Sequence, residues 1–192
     1  MHPLQDKVVL ITGASSGIGR ATATRLADHG AKVGLAARNE QALAEVVSEF
    51  EKRNQQALAI PTDVTEADQC RRAVEATVQR FGRLDILICS AGLSLRAYFE
   101  GTSLETLERV MRVNFFGTMY ATHFALPHIK RSRGSLVAIS SLTGKRGIPS
   151  YALYGASKFA IQACTKACTW SWAGTAFMSA WYHRHLLIRR CG

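Results

Sequence analysis

Short apolar runs alternate with longer amphipathic stretches along most of the chain, up to about residue 166. The apolar runs are four to seven residues long, which is too short for a helix and predicts buried strands. In the stretches between them, apolar residues recur every three or four positions, which predicts helices. Five strands are predicted, at 8–11, 31–37, 57–61, 84–89 and 135–140.

The predicted helices follow the strands in turn, and the two stretches from 103 to 129 can form one continuous helix. Strands that are apolar throughout and alternate with helices indicate a parallel sheet covered on both faces. Because the crossovers are right-handed, the pattern predicts an α/β, doubly wound sheet in a single domain. Ligands bind such a sheet at the carboxyl ends of its strands. The predicted helices span 20–27, 40–54, 66–81, 103 onward, 111–129, and 151 to beyond 166.

A glycine-rich turn joins the first strand to the first helix. Gly13 allows a sharp turn, Gly17 removes a Cβ where a phosphate would press on the backbone, and Gly19 allows close packing of the helix. The free N–H groups at the start of the helix then face an anion. The alternative is a tight turn that binds nothing, which the glycines alone do not exclude.

Arg38 ends the second strand, where a dinucleotide-binding unit meets the adenosine ribose. A carboxylate at this point would accept from the 2′-hydroxyl and repel a 2′-phosphate, but the next acid is Glu40. An arginine can instead pair with a phosphate through charge-assisted hydrogen bonds. The position therefore favours NADP (as NADPH) over NAD, and the alternative is a solvated surface arginine.

Tyr154 and Lys158 are four residues apart on one predicted helix, so the ammonium can approach the phenol and favour its phenolate form. Ser141 follows the fifth strand and can donate to a substrate carbonyl oxygen, which Tyr154 would protonate as hydride arrives from a nicotinamide. For an isolated Tyr-x-x-x-Lys pair, the alternative is an ordinary amphipathic helix face.

The order and spacing of these motifs resemble the short-chain dehydrogenase/reductase family from Lys7 to about Lys166. The resemblance implies a Rossmann fold and an NAD(P)-dependent oxidoreductase that acts on a carbonyl or a secondary alcohol. The motifs are Thr12–Gly19, Asp63-Val64, Ser90-Ala91-Gly92, Asn114, Ile139–Ser141 and Tyr154–Lys158.

The resemblance also implies residue roles. Tyr154 is the proton donor and acceptor, and Ser141 polarises the substrate oxygen. Lys158 assists the tyrosine and holds the nicotinamide ribose, and Asn114 supports a water that relays protons to the lysine. Tyr151 and Ser140 are the alternatives to Tyr154 and Ser141, but only Tyr154 has a lysine four residues on, and the 13-residue step from Ser141 fits the family. The predicted cofactor-binding residues are Gly13, Ser15, Ser16, Gly17, Ile18, Gly19, Arg38, Asp63, Val64, Ala91, Gly92, Tyr154 and Lys158.

The sequence departs from the family pattern at two places. Ser90 stands where the family commonly has asparagine, and after Lys166 the chain loses the family pattern. We therefore expect a catalytic domain over 1–166 and an atypical tail over 167–192 that replaces the last strands and the substrate-covering segment. The fifth strand would then be an exposed edge unless the tail pairs with it. A homo-oligomer is possible, but the family's dimer surface is altered, and the alternative function is non-catalytic NADP binding.

Charge and cysteine content narrow the remaining functions. All 14 acidic residues lie within 1–108, and 12 of the 24 basic residues follow residue 108, so the second part of the chain is strongly basic. Its basic residues are scattered and form no dense run, so nucleic-acid binding is not expected. The uncharged stretch 167–182 is shorter than the about 20 residues that span a bilayer. The five cysteines form no CxxC pair and no metal site is expected. Without a recognisable signal peptide, free thiols and a cytoplasmic location are expected.

Overall fold

A computed structural model describes residues 4–171 and 176–180, with side chains as far as Ala167. Its centre is a sheet of six parallel strands in the order β3-β2-β1-β4-β5-β6. The uniformly apolar runs became strands because both of their faces are covered. The strands are β1 (Val8–Thr12), β2 (Lys32–Ala37), β3 (Ala57–Pro61), β4 (Ile86–Cys89), β5 (Ser135–Ile139) and β6 (Ala176–Ala180).

Helices cover both faces of the sheet, as the sequence predicts. Apolar residues of α1 and α2 pack on one face, and those of α3, α5 and α6 pack on the other. The strand order reverses at β1, which pairs with both β2 and β4, so a crevice is expected at the carboxyl ends of β1 and β4. The helices are α1 (Gly17–Ala27), α2 (Glu40–Glu51), α3 (Ala67–Phe81), α4 (Leu104–Met111), α5 (Gly117–Ser132) and α6 (Ala152–Ser171).

The helical stretch from Ser103 to Ser132 is continuous, as the sequence analysis allows, but it is not regular. A π-helical turn at Arg112–Phe116 joins α4 to α5. Such turns insert one extra residue into a helix and are frequent at functional sites. This turn contains Asn114, one of the predicted catalytic residues, and the sequence pattern does not reveal it.

The fifth strand is not an edge of the sheet. β6 pairs in parallel with β5 along its whole length, from Ser135 opposite Ala176 to Ile139 opposite Ala180. The structure thus shows the alternative that the sequence analysis allows, in which part of the tail pairs with the fifth strand. That the tail 167–192 replaces the family's last strands and its substrate-covering segment stays a prediction.

Asp85 lies directly before β4, which begins two residues later than the sequence predicts. Its buried carboxylate accepts a hydrogen bond from the backbone N–H of Val8 at 3.0 Å and pairs with Arg83 and Lys7. A buried carboxylate is stable only when it is paired in this way. These contacts hold the amino ends of β1 and β4 together. The predicted ligand site lies at the opposite, carboxyl ends of the same strands.

Candidate active site

The turn after β1 is built from backbone atoms that approach each other closely. A Cβ on Gly13 would lie 2.7 Å from the backbone of Ala91, and a Cβ on Gly19 would lie 2.2 Å from the carbonyl oxygen of Gly13. Both contacts are with backbone, which cannot yield. The two glycines therefore allow the turn to pack against the exit of β4 and the start of α1, as the sequence predicts for Gly19.

Gly17 differs from these two glycines. It has a φ of +54°, and a Cβ built on it would meet no atom within 4 Å. The turn needs glycine here for its backbone conformation, and the space in front of it is open. The hydroxyl of Ser16 forms no capping hydrogen bond, and the first turn of α1 contains no acid. Unpaired N–H groups at a helix start, facing open space, fit a phosphate.

A groove of about 370 Å³ runs across the carboxyl ends of β1, β2, β3 and β4. It contains every predicted cofactor-binding residue except Gly17, Tyr154 and Lys158, although these positions are spread over 80 residues of sequence. A crevice at the point where strand order reverses is where such sheets bind dinucleotides. The groove is lined by Gly13, Ser15, Ser16, Ile18, Gly19, Ala37, Arg38, Asn39, Thr62, Asp63, Val64, Ser90, Ala91, Gly92, Leu93 and Val113.

Arg38 lies exposed at the mouth of the groove, directly after β2. The next residue, Asn39, caps α2, because its side-chain oxygen accepts from the N–H of Ala42 at 3.0 Å. The side chain of Asn39 is thus occupied, whereas Arg38 forms no ion pair among the described residues. This part of the groove therefore presents a guanidinium and no carboxylate at the expected ribose position.

Asp63 and Val64 form the wall after β3. One carboxylate oxygen of Asp63 accepts from both the N–H and the hydroxyl of Thr65, at 2.9 Å each. Thr65 is engaged in this turn, and Glu66 occupies the cap position of α3. Val64 is buried against Gly117 on α5, where a Cβ would lie 2.7 Å from it. The wall is thereby fixed in place.

Asn114 is fully buried, and both its amide oxygen and its amide nitrogen form hydrogen bonds to neighbouring residues. Its oxygen accepts from the N–H of Leu93 at 2.7 Å, while its nitrogen donates to the Leu93 carbonyl at 3.0 Å and to the Ser157 hydroxyl at 2.9 Å. The Ser157 hydroxyl in turn donates to the carbonyl oxygen of Tyr154 at 2.7 Å. Asn114 therefore links the loop after β4 to the tyrosine-bearing turn of α6. Sequence reasoning missed Ser157, whose only signal is its place between Tyr154 and Lys158.

Lys158 is 5% exposed and lies close to Tyr154, with its Nζ 5.7 Å from the centre of the tyrosine ring. The ammonium donates to the carbonyl oxygen of Ile139, at the end of β5, at 2.8 Å. Burial, which disfavours the charged form, lowers the pKa of Lys158 to about 8, and the nearby Cys89 opposes this shift. The predicted proximity of cation and phenol is present.

The two serines after β5 occupy different environments. Ser140 is 3% exposed and accepts from Gln162, whereas Ser141 is partly exposed and accepts from the N–H of Thr143 at 3.3 Å. This arrangement supports Ser141 as the serine that meets substrate. Tyr151 precedes α6, with its ring centre 6.2 Å from that of Tyr154.

Gly92 lines the cofactor groove and lies close to two of the predicted catalytic residues, Asn114 and Lys158. A Cβ on Gly92 would lie 3.3 Å from the Oδ1 atom of Asn114 and 3.6 Å from the Nζ atom of Lys158. Because Gly92 also lines the groove, the part of the groove at Gly92 lies next to the buried side chains of Lys158 and Asn114.

Comparison with known proteins agrees with this geometry. A model of the family described as short chain dehydrogenase matches residues 7–176. The chain belongs to the short-chain dehydrogenase family. The match extends ten residues beyond the Lys166 limit that the sequence motifs suggest, into the stretch that precedes β6. Helix α6 also continues past Lys166, and the division into 1–166 and 167–192 stays a prediction.

Several relatives within the family are similar in sequence. An 11-beta-hydroxysteroid dehydrogenase-like protein 4A of Arabidopsis thaliana is 41% identical over 160 residues, which cover 82% of this chain and 54% of that protein. The oxidoreductase YxnA of Bacillus subtilis is 36% identical over 169 residues, which cover 87% of this chain and 48% of that protein. This chain thus spans about half the length of these relatives.

Solved structures share the fold of the short-chain dehydrogenase. An alcohol dehydrogenase from Thermococcus sibiricus, complexed with 5-hydroxy-NADP, superposes with a TM-score of 0.88 at 28% identity, covering 91% of this chain and 75% of its own. A family member from Burkholderia phymatum, in complex with NAD, gives 0.89 at 27% identity, covering 94% and 66%. The predicted doubly wound Rossmann fold is confirmed, and the similar structures include binders of both nicotinamide cofactors.

We also examined the described part of the chain for a reactive cysteine, a metal site and a membrane-spanning helix. Cys70, Cys89 and Cys164 are free thiols, and burial raises the pKa of Cys70 to about 11 and of Cys89 to about 12, so neither is a nucleophile at neutral pH. Both thiols are buried. Within residues 4–171 and 176–180, no three potential metal ligands cluster, and none of the helices is long and apolar enough to cross a membrane.

Proposed function

We propose that this short-chain dehydrogenase is an NADP(H)-dependent oxidoreductase that interconverts a carbonyl and a secondary alcohol. The observation that carries the proposal is the junction at Gly92, where the groove of the first turn meets Lys158 and Asn114. Family membership supports the same chemistry. The length of the relatives means that the activity of this chain has to be tested on the chain itself.

The groove residues divide the binding of the cofactor among them. The start of α1, with Ser15, Ser16 and Ile18 around it, would hold the pyrophosphate through backbone N–H groups. Arg38 would pair with a 2′-phosphate, which supports NADP over NAD. Asp63 and Val64 would meet the adenine, and Ala91 and Gly92 would face the nicotinamide half. The bound cofactor supplies hydride to the carbonyl carbon.

The predicted catalytic residues would transfer the proton that the reaction requires. Tyr154 donates its hydroxyl proton to the substrate oxygen during reduction, and Ser141 donates a hydrogen bond to the same oxygen. Lys158 holds a positive charge beside the tyrosine ring and would contact the nicotinamide ribose. Asn114 fixes the loop and the helix turn around them. It would also orient a water that passes a proton to Lys158, as Lys158 passes its own proton on to restore the hydroxyl of Tyr154.

Turnover of a carbonyl panel by the wild-type chain and a tyrosine variant tests this proposal. NADPH oxidation is followed with 4-nitrobenzaldehyde, cyclohexanone and a steroid 11-ketone. We expect Tyr154→Phe to lower kcat by about 100-fold or more, as loss of a general acid does, with NADPH affinity retained. Tyr151→Phe is the matched control, because its ring lies next to Tyr154 but no lysine follows it four residues on; this variant should keep its activity.

The panel also separates this function from its alternative. If the chain binds NADPH but no substrate is turned over in a Tyr154-dependent way, it is a non-catalytic NADP-binding protein. If Tyr151→Phe abolishes turnover while Tyr154→Phe does not, the assignment of the proton donor is wrong.

Location and assembly are part of the same proposal. The free thiols Cys70, Cys89 and Cys164 support a reducing compartment, for which we propose the cytoplasm. The substrate is a small carbonyl or alcohol compound, and neither a metal nor a nucleic acid is required. Pairing with a second copy of the chain is a prediction that a sedimentation measurement on the pure protein checks.

A further inference from the structure

Two side chains of α6, one helical turn apart, form hydrogen bonds with the end of β5. Lys158 donates to the carbonyl oxygen of Ile139 at 2.8 Å, and Gln162 donates through its Nε2 atom to the Oγ atom of Ser140 at 3.1 Å. Gln162 and Ser140 are 4% and 3% exposed, so water does not compete for this bond. Two consecutive residues of the strand end are thus fixed to two consecutive turns of the helix.

The loop that follows is packed against the same two points. A Cβ on Gly144 would lie 2.8 Å from the carbonyl oxygen of Lys158 and 3.0 Å from the Oγ atom of Ser140. Residues 140–144 therefore form a short loop whose last residue, Gly144, packs against its first residue, Ser140. Ser141 is the second residue of this loop, so its position depends on that of Ser140.

The backbone at Ser141 is extended, with φ −149° and ψ 164°. In extended backbone, successive side chains point to opposite sides. The Ser140 hydroxyl points into the buried contact with Gln162, so the Ser141 hydroxyl is directed to the other side, where it is partly exposed. A shift of Ser140 would carry Ser141 with it.

We propose that Gln162 is a positioning residue for catalysis: through its buried hydrogen bond to Ser140 it fixes the place of the Ser141 hydroxyl relative to Tyr154. The inference rests on the proposed function and extends it to a residue eight positions beyond the tyrosine. Gln162 suits this task because its amide is neutral and donates to the serine without placing a second charge one turn from Lys158.

Steady-state kinetics on a double-mutant cycle between Gln162 and Ser141 tests this role. Gln162→Met keeps a side chain of similar length and removes the donor. With the carbonyl that the wild-type chain reduces fastest, we expect kcat to fall about tenfold, since small misplacements of catalytic groups cost this much or more. KM should change less than about twofold, because the Ser141 hydrogen bond strengthens as charge develops on the substrate oxygen in the transition state. NADPH affinity should also change less than about twofold, because neither Ser140 nor Gln162 is a proposed cofactor contact.

The cycle distinguishes positioning from a general loss of structure. If Gln162 acts through Ser141, Ser141→Ala should lower kcat much less in the Gln162→Met background than in the wild type. Ser140→Ala removes the acceptor of the same bond and should reproduce the kcat loss, which also provides the test if Gln162→Met does not fold. Gln79→Met, the same substitution at an exposed position on α3, is the control and should keep full activity.

Two results would overturn the inference, and they differ from failure of the proposed function. Full kcat in both Gln162→Met and Ser140→Ala would show that the bond has no role in turnover. Strictly additive kcat losses in the cycle would show that Gln162 does not act through Ser141. A wild-type chain without Tyr154-dependent turnover would contradict the proposed function itself, and the inference with it.

Discussion

The turns after β1 and after β5 lie at the same edge of the sheet, but they are built by opposite means. At the first turn, residues 12–19, the site is made by missing side chains: Gly13 and Gly19 let backbone approach backbone, and the space in front of Gly17 is open. At the second turn, which begins at Ser140, the site is made by buried polar side chains: Lys158 donates to the carbonyl oxygen of Ile139, and Gln162 donates to the hydroxyl of Ser140. The first suits an anion and the second suits a proton donor.

This difference explains which substitutions each region tolerates. A backbone site loses function when a side chain is added, because the ligand's space is filled. A side-chain network loses function when a polar group is removed, because a buried partner is left without its hydrogen bond. The two kinds of substitution therefore test the two regions separately.

Adding one methyl group at Gly17 is expected to give the largest effect of this kind. Gly17→Ala places a Cβ in the open space where a phosphate would lie, and we expect NADPH affinity to fall about 100-fold, equivalent to about 3 kcal/mol or one to two charge-assisted hydrogen bonds. Fluorescence titration with NADPH measures the change.

Gly82 provides the matched control for this substitution. It ends α3 with a φ of +81°, and a Cβ on it would also meet nothing within 4 Å. Gly82→Ala should cost about the same 1 kcal/mol of folding free energy as Gly17→Ala, because both force alanine into a left-handed conformation. It should leave NADPH binding unchanged. Equal losses of NADPH affinity in the two variants would contradict a phosphate site at Gly17.

The side-chain network at the turn after β5 is tested by the pH dependence of kcat/KM, for which we expect a smaller effect than for Gly17→Ala. Burial lowers the pKa of Lys158 from 10.5 to about 8, so raising the pH through this value removes the proton and the charge beside Tyr154. For NADPH-dependent reduction we expect kcat/KM to be constant below pH 7 and to be about tenfold lower at pH 9, one unit above that pKa. An ordinary lysine would leave this range flat, so a profile that stays level to pH 10 would contradict the assignment.

Local patterns in the sequence were enough to predict most of the fold and the cofactor groove. The strands β1 to β5 are short apolar runs, and Gly13, Gly17 and Gly19 act on their own backbone, so neighbouring residues carry the information. Spacing and side-chain chemistry pointed to Ser141, Tyr154 and Lys158, whereas Asn114 and the choice against Tyr151 and Ser140 came with the family resemblance. Contacts such as Ser157 with Asn114 join residues 43 positions apart, and no local pattern marks them.

Three features lay beyond the sequence patterns for physical reasons. The π turn around Asn114 adds one residue to a helix whose apolar spacing stays almost unchanged. β6 lies in a stretch of uncharged residues that includes tryptophans and hydroxyls, which gives no alternating or uniformly apolar signal, and pairing with β5 defines it. The partnership of Gln162 with Ser140 depends on how α6 packs on β5, because a polar residue on a helix ordinarily indicates a solvated face.

The most direct test of the whole account is a fluorescence titration of the wild-type chain with NADPH and with NADH, repeated on Arg38→Asp. With Arg38 at the mouth of the groove, we expect the wild type to bind NADPH about tenfold or more tightly than NADH, and Arg38→Asp to reverse this preference. Arg72→Asp, an equal charge change at an exposed position on α3, should leave the preference as it is. Binding of neither cofactor would contradict both the enzymatic and the non-catalytic function. Equal affinity for the two, unchanged in Arg38→Asp, would contradict the assignment of NADP.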